Sequence, residues 1–472
     1  MHLLTGATGY IGGRLLRRFE RNGPAVRCLC RNPESLGWRV APGTELVRGD
    51  LLDPASLGAA FSGVDTAFYL VHSMNSGEEF EAEERAAASN FAQAARSAGV
   101  RRIVYLGGLG HGAGLSPHMR SRSETGNILR FSGVPVIELQ ASIVIGSGSA
   151  SFEMMRALVE RLPVMITPRW VNTAAQPIAI EDVIDYLVAA ARLPVQGHRT
   201  FEIGGADVTS YVGLMREYAR QRNSRRWIVR VPFLSLSLSS RWLTLITPVY
   251  AAIGRRLIES VRNPSFVANP EALEAFDIRP MGIARAIERA FRNEDHELAE
   301  TRWSDAQAQW AAGAQSAPGR DLLINEQTIR VPVGRLQAFA PIRRIGGRTG
   351  WYFGNLLWRI RGLMDLMIGG VGMRRGRPDP EIPFPGSTLD FWRVERYEPE
   401  NRLRLFAEMK LPGRAWLEFR AEAHGSSTVI RQIAQFEPRG LAGLLYWYLL
   451  SPIHALMFRG MLRRIAAAVQ PG

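Results

Sequence analysis

Residues 4–13 read LTGATGYIGG and begin after only three residues, enough for the start of a first β-strand. Gly6, Gly9 and Gly12 recur every three residues between the apolar Leu3 and Leu4 and an amphipathic run carrying Ile11, Leu15, Leu16 and Phe19. Glycine permits a tight turn and lets backbone N–H groups approach a pyrophosphate, while the N-terminus of the following helix adds partial positive charge. The surroundings are those the mechanism needs: strand, glycine turn, helix, and a second strand over 25–30. This pattern predicts a dinucleotide site in which Gly6, Thr8, Gly9, Tyr10, Ile11 and Gly12 line the phosphates.

The charged residue after the second strand is Arg31, nineteen positions beyond Gly12. An Asp or Glu there would accept hydrogen bonds from a ribose 2′-hydroxyl, whereas the planar fork of an arginine suits a 2′-phosphate. NADP is therefore expected, with NAD as the other cofactor the turn can hold. Gly49-Asp50-Leu51 follows an apolar strand over 45–48 and sets Asp50 and Leu51 where the adenine should lie.

A chain of 472 residues, 46% apolar and 22% charged, has room for two to four soluble domains. Its two cysteines, Cys28 and Cys30, lie two apart on the second strand and share a face. That spacing suits neither a disulfide nor a metal motif, so no metal is expected and a reducing cytoplasm is the simplest location. The first strand occupies the region a leader would need, so export is not expected. Basicity is uneven: residues 326–472 carry 22 Lys plus Arg against 12 Asp plus Glu, whereas residues 1–325 carry 36 against 32. A basic C-terminal third fits a solvated surface or contact with an anionic ligand, partner or inner membrane face. Nucleic acid is not expected, because the arginines are dispersed among strands and form no basic arm.

From residue 2 to about 145, apolar strands alternate with helical stretches: strands over 64–71, 102–106 and 134–139, helices over 82–98 and 121–131. This is the rhythm of a parallel sheet covered on both faces. Helical patterns over 211–221 and 281–292 carry the domain to about residue 300. Residues 301–325 turn polar and rich in Ala, Gln and Gly, as a linker does. Beyond it, 402–409, 415–423 and 428–436 alternate with period two between Leu411-Pro412-Gly413 and His424-Gly425-Ser426, predicting an antiparallel meander preceded by a strand over 390–398. Two apolar stretches, 233–253 and 441–458, are expected as buried or interfacial helices. In the second, Ser451-Pro452 has the form of a fresh helix N-terminus, giving a closing helix over 452–468. A curved sheet gripping that helix would enclose an apolar cavity bordered by Trp351, Trp358, Trp416 and Trp447.

The first 300 residues resemble the extended and atypical branches of the short-chain dehydrogenase/reductase superfamily. The resemblance rests on GATGYIGG, Arg31, Gly49-Asp50, the run Phe68-Tyr69-Leu70-Val71-His72, Tyr105-Leu106-Gly107-Gly108 and Pro177-Ile178-Ala179-Ile180-Glu181-Asp182, in that order. NmrA-like proteins and relatives of the 39 kDa subunit of respiratory complex I are the nearest in pattern. Residues from about 325 onward are similar to the DUF2867 domain, itself similar to the START/SRPBCC helix-grip fold, through Gly350-Trp351-Tyr352, the run from Leu357 to Gly362, the run from Asp390 to Val394, and Tyr446-Trp447-Tyr448. The resemblance implies an α/β Rossmann-type, doubly wound parallel sheet over 1–300, a linker over 301–325 and an α+β helix-grip domain over 326–472. It also implies cofactor contacts from Leu70, Val71, His72, Gly107 and Arg122.

Catalysis in that superfamily uses a tyrosine as proton donor, a lysine four residues later and a serine that orients the carbonyl. This chain departs at all three. The serine position aligns with Gly107 or Gly108, and the Tyr/Lys pair with His118 and Arg122; the sole lysine, Lys410, lies in the second domain. Tyr218 and Arg222 have the right spacing on a helix well past the expected place. Histidine titrates near neutral pH and arginine can hold a ribose, so His118 is the candidate proton donor and Arg122 a cofactor contact. Two functions stand: an oxidoreductase acting on a hydrophobic carbonyl, quinone-like or enone substrate, or an NADP(H)-binding sensor or assembly protein whose second domain holds a lipid-like ligand or a partner.

Overall fold

The computed structural model describes residues 1–37, 40–72, 80–112, 114–162, 164–167, 169–194, 196–230, 259, 261, 263–295, 323–373, 375–425, 427–438 and 440–469. The chain divides into two units, Met1–Ala306 and Gln307–Gly472. The apolar stretch 233–253 lies outside the described residues.

In the first unit, seven strands form one sheet: β1 (His2–Thr5), β2 (Val26–Cys30), β3 (Glu45–Arg48), β4 (Thr66–Tyr69), β5 (Arg102–Gly108), β6 (Val136–Ala141) and β7 (Arg199–Ile203). Their order is β7-β6-β5-β4-β1-β2-β3 and every pairing is parallel. Successive residues point to opposite faces, and both faces are apolar. Leu4, Phe68, Val104 and Ile137 pack with helix α1 (Tyr10–Asn22) through Leu15, Leu16 and Phe19. Leu3, Ala67, Ile103 and Val136 pack on the other side with α2 (Phe80–Ser97) through Ala88, Phe91 and Ala95. Helix α3 (Pro117–Arg130) lies beside α2, and the strand order reverses between β1 and β4, where doubly wound sheets open a crevice. A second core joins α4 (Ala150–Arg161), α5 (Tyr211–Gln221) and α6 (Ile283–Asp295) around Phe152, Tyr218 and Ile287.

The second unit is built on six antiparallel strands: β8 (Leu323–Val331), β9 (Thr388–Leu389), β10 (Trp392–Glu398), β11 (Arg402–Ala407), β12 (Gly413–His424) and β13 (Ser427–Pro438). They are ordered β8-β13-β12-β11-β10-β9. Because β8 begins at Leu323, the last residues of the expected linker already belong to the sheet. One sheet face is apolar, with Leu405, Leu417, Phe419 and Ile430 packed against Met457, Phe458, Met461 and Ile465 of the closing helix. The other face carries ionic pairs, including Glu418 with Arg402 and Arg404.

Two expectations are corrected here. The closing helix runs unbroken from Gly440 to Ala467 with Pro452 inside it, so Ser451-Pro452 is not its start. Proline cannot donate to the carbonyl four residues back. That carbonyl, of Tyr448, accepts a hydrogen bond from the Ser451 hydroxyl at 3.0 Å instead, which keeps the turn intact. The four tryptophans do not border one cavity. Trp351 and Trp358 are buried in the apolar core with Phe391 and Trp392, at ring separations of 5.4–6.2 Å. Trp416 packs on Phe406 and donates to Glu395, and Trp447 stacks on Phe436. Period two explains the split, since Trp416 and Leu417 must face opposite ways.

Candidate functional site

The glycine turn joins β1 to α1 at the carboxyl end of the sheet. Thr5 secures it to β4: its hydroxyl donates to the Phe68 carbonyl at 2.9 Å and accepts from the Leu70 amide at 3.2 Å. Gly6 has φ +72°, and a Cβ there would lie 2.7 Å from the Leu70 carbonyl oxygen. A Cβ on Gly12 would collide with the Gly6 carbonyl, so both positions admit only glycine. The Gly9 amide donates to the Gly6 carbonyl at 2.8 Å, and Gly9 caps α1 without a side-chain acceptor. With no acid in the first turn, the helix amides stay open to an anion. Thr8 and Ile11 are half-buried beside them, whereas Tyr10 is buried and its hydroxyl pKa is pushed up by burial. Arg14 lies 5.0 Å from the Tyr10 ring and donates to the Ser147 carbonyl at 3.0 Å.

Arg31 is exposed directly after β2. Beyond β3, Asp50 accepts from the Leu52 amide at 3.0 Å, and Ser56 holds the Asp50 amide at 2.9 Å. Leu51 is buried, with its carbonyl accepting from Asn90 at 2.8 Å. Arg31, Asp50 and Leu51 thus follow adjacent strands on the same sheet edge as the glycine turn.

Past β4 the chain passes half-buried Leu70 and exposed Val71 to His72, whose ring is held at both nitrogens. Nδ1 lies 2.6 Å from Glu84 Oε1, and Nε2 lies 3.1 Å from His118 Nδ1. Ser116 caps α3, accepting from the Met119 amide at 3.3 Å, with Pro117 as the first helical residue. This puts His118 in the first turn and Arg122 one turn later on the same face. Glu84 comes from α2 and also accepts from the Ser121 hydroxyl. Burial pushes its carboxyl up, but the His72 and Ser121 hydrogen bonds and the His72 and Arg122 charges outweigh that and hold it below the usual range. An ionised carboxylate only accepts, so His72 carries a proton on Nδ1; when its ring is neutral, Nε2 is the acceptor for a proton on His118 Nδ1.

Arg122 donates to the Leu106 carbonyl and lies 5.9 Å from the Tyr105 ring. Its Nε is buried and has no protein hydrogen-bond partner among the described residues. The Tyr105 hydroxyl donates to the Arg122 carbonyl at 2.8 Å, and burial raises its pKa, which removes it as a proton donor. A Cβ on Gly107 would lie 2.9 Å from Glu138 Oε1, and one on Gly108 would lie 3.1 Å from Met119 Sδ. At the position where the superfamily has serine, a side chain would thus meet the tips of Glu138 and Met119 first. Tyr218 and Arg222 stand apart: Tyr218 donates to Glu160 at 2.5 Å inside the second core, and Arg222 lies 4.0 Å from the Phe291 ring.

The sequence pointed to His118 and Arg122 but not to Glu84 and Ser121. Glu84 is one of five acids among seven residues from Glu78, and no local pattern singles it out; in the fold Glu84 is buried whereas Glu83 is exposed.

Residues 6–130 match the family described as NAD(P)H-binding, and residues 318–461 match the family described as a protein of unknown function, DUF2867. The chain joins an NAD(P)-binding, NmrA-like domain to a DUF2867 domain. The ceramide reductase of Caulobacter vibrioides is 26% identical over 272 residues, covering 56% of this chain and 85% of that protein. The photosystem II assembly factor Ycf39 of Trieres chinensis is 24% identical over 223 residues, covering 43% of this chain and 63% of that protein. Among solved structures, the NADPH-dependent quinone oxidoreductase QOR2 of Escherichia coli, crystallised with NADPH, superposes with a TM-score of 0.51 at 20% identity. The match covers 62% of this chain and all of that one, and the likeness is one of fold.

Proposed function

We propose that this protein is an NADP(H)-dependent reductase of a hydrophobic carbonyl, quinone-like or enone substrate, with His118 as proton donor. The observation that carries the reading is the Glu84–His72–His118 chain beside the glycine turn, where the superfamily places its tyrosine. When bound, NADPH supplies the hydride that adds to the substrate carbon. Protonated His118 gives its Nε2 proton to the substrate oxygen, leaving a neutral ring that keeps its Nδ1 proton and still donates it to His72 Nε2, and solvent restores the donor. Glu84 fixes the His72 tautomer and favours the protonated ring, while Arg122 and the α1 amides hold and orient the cofactor. Arg31 recognises the 2′-phosphate. The ceramide reductase likeness supports a lipid-like substrate, and the long helix packed on the second unit's sheet supports a helix-grip domain that presents it.

The test is NADPH oxidation with a panel of quinones, hydrophobic enones and long-chain ketones. His118→Ala should lower turnover about 10²- to 10⁴-fold with NADPH affinity unchanged; full activity in the variant would remove His118 from the chemistry. Arg31→Asp should weaken NADPH about 10- to 100-fold and leave NADH unaffected. An unchanged preference would refute the 2′-phosphate assignment. The second reading, a non-catalytic NADP(H) sensor or assembly factor, is favoured by glycine at the superfamily's serine position, Gly107 or Gly108, and by the Ycf39 likeness. It predicts tight NADPH binding with no oxidation across the panel.

A further inference from the structure

The second unit turns an apolar stripe outward on each of two neighbouring helices. In α7 (Asn355–Met367), Leu356, Leu363 and Met367 are 69%, 54% and 73% exposed. In α8 (Gly440–Ala467), Leu445, Leu449 and Leu456 are 63%, 78% and 62% exposed. Offsets of four, seven and eleven residues put each set within a narrow arc of its helix. These are second apolar faces, because Trp358 of α7 and Met457, Met461 and Ile465 of α8 already fill the core. The helices adjoin: Phe353, just ahead of α7, fills the space a Cβ on Gly460 would need, and a Cβ on Gly354 would lie 3.6 Å from Met457.

The charge around these stripes has one sign. Helix α8 contains no Asp or Glu, and its Arg459, Arg463 and Arg464 are exposed. The one acid of α7, Asp365, is fully buried and accepts from the Lys410 amide at 2.7 Å and the Gly372 amide at 2.8 Å. Arg359 and Lys410 remain exposed on the same helix or at its end. Among the described residues no helix is long and apolar enough to cross a membrane.

We propose that α7 and α8 form a docking face for an anionic lipid bilayer, lying in its interface with the leucines in the acyl boundary and the arginines among the headgroups. Apolar stripes flanked by cations, with no exposed acid on either helix, fit such a surface. A second copy of this chain would set arginines against arginines, which disfavours self-pairing. The inference stands apart from the reductase chemistry, since its test reads binding alone.

The full chain should sediment with vesicles of phosphatidylglycerol and phosphatidylcholine in equal parts, less with phosphatidylcholine alone, and less as salt rises. The double variant Leu363→Glu, Leu449→Glu should lower the partition coefficient about tenfold or more, with circular dichroism and NADPH affinity unchanged. Arg459→Gln with Arg463→Gln should lower only the salt-sensitive part. Absence of binding to either vesicle, or binding untouched by the leucine variant, would overturn the proposal. So would a dimer, seen by sedimentation velocity, that the leucine variant dissociates.

Discussion

Glu84 in the parallel-sheet unit and Glu408 in the antiparallel-sheet unit are both carboxylates held below the usual range against burial, but by different kinds of partner. Glu84 is met by a histidine and a serine, and the histidine passes the interaction on to His118. Glu408 is met by Arg393, whose side chain is fully buried, and by Arg375. Arginine does not titrate in the working range of a protein, whereas histidine does. The same charge is therefore locked in one unit and connected to a movable proton in the other. A buried carboxylate marks a candidate reaction site only when its partners can change protonation state.

That contrast can be broken most forcefully in the second unit. Glu408→Gln removes a carboxylate paired with two buried arginines and should cost about 3–5 kcal/mol of stability, read by urea unfolding, with NADPH affinity unchanged. Glu408 also has the sign of a depressed acid: its contribution is complete above the unfolded-state value near pH 4 and is lost as pH falls through its lower folded-state value.

Glu84→Gln addresses the first unit. It keeps an acceptor for His72 but removes the charge that favours a protonated histidine chain. Turnover should fall about 10- to 100-fold, and the basic limb of its pH profile should move to lower pH. A variant with an unshifted profile would make Glu84 a structural residue of the same kind as Glu408.

Asp182, buried in the first unit, sharpens the comparison with the smallest effect. Burial raises its pKa to about 6, against which the Met281 amide donates at 2.8 Å. The folded state thus holds its proton more tightly than the unfolded one, and stability falls as pH rises from about 4 to about 6, opposite in sign to Glu408. Asp182→Asn should gain about 1 kcal/mol at pH 7 and nothing near pH 4, measured by thermal unfolding at both values.

Much of the scaffold was legible locally. The helix over 211–221 has the observed bounds, and the period-two runs became β11, β12 and β13 with ends moved by a few residues. The helix expected over 121–131 starts earlier, at Pro117, because the Ser116 cap and Pro117 set its first turn; that change places His118 inside the helix. The continuous helix through Pro452 was hidden because its repair is a side-chain bond, from Ser451 to Tyr448.

The sequence alone determined where the backbone must bend and which strands must be buried on both faces. Those properties depend on glycine φ values and residue periodicity, which act over a few positions. Tertiary structure alone decided that Glu84 reaches His72, that His72 reaches His118 across 46 positions, and that Ser121 reaches Glu84 across 37. Those pairings depend on the register of β4, α2 and α3 against one another, set by packing of the shared apolar core, and no local pattern encodes it.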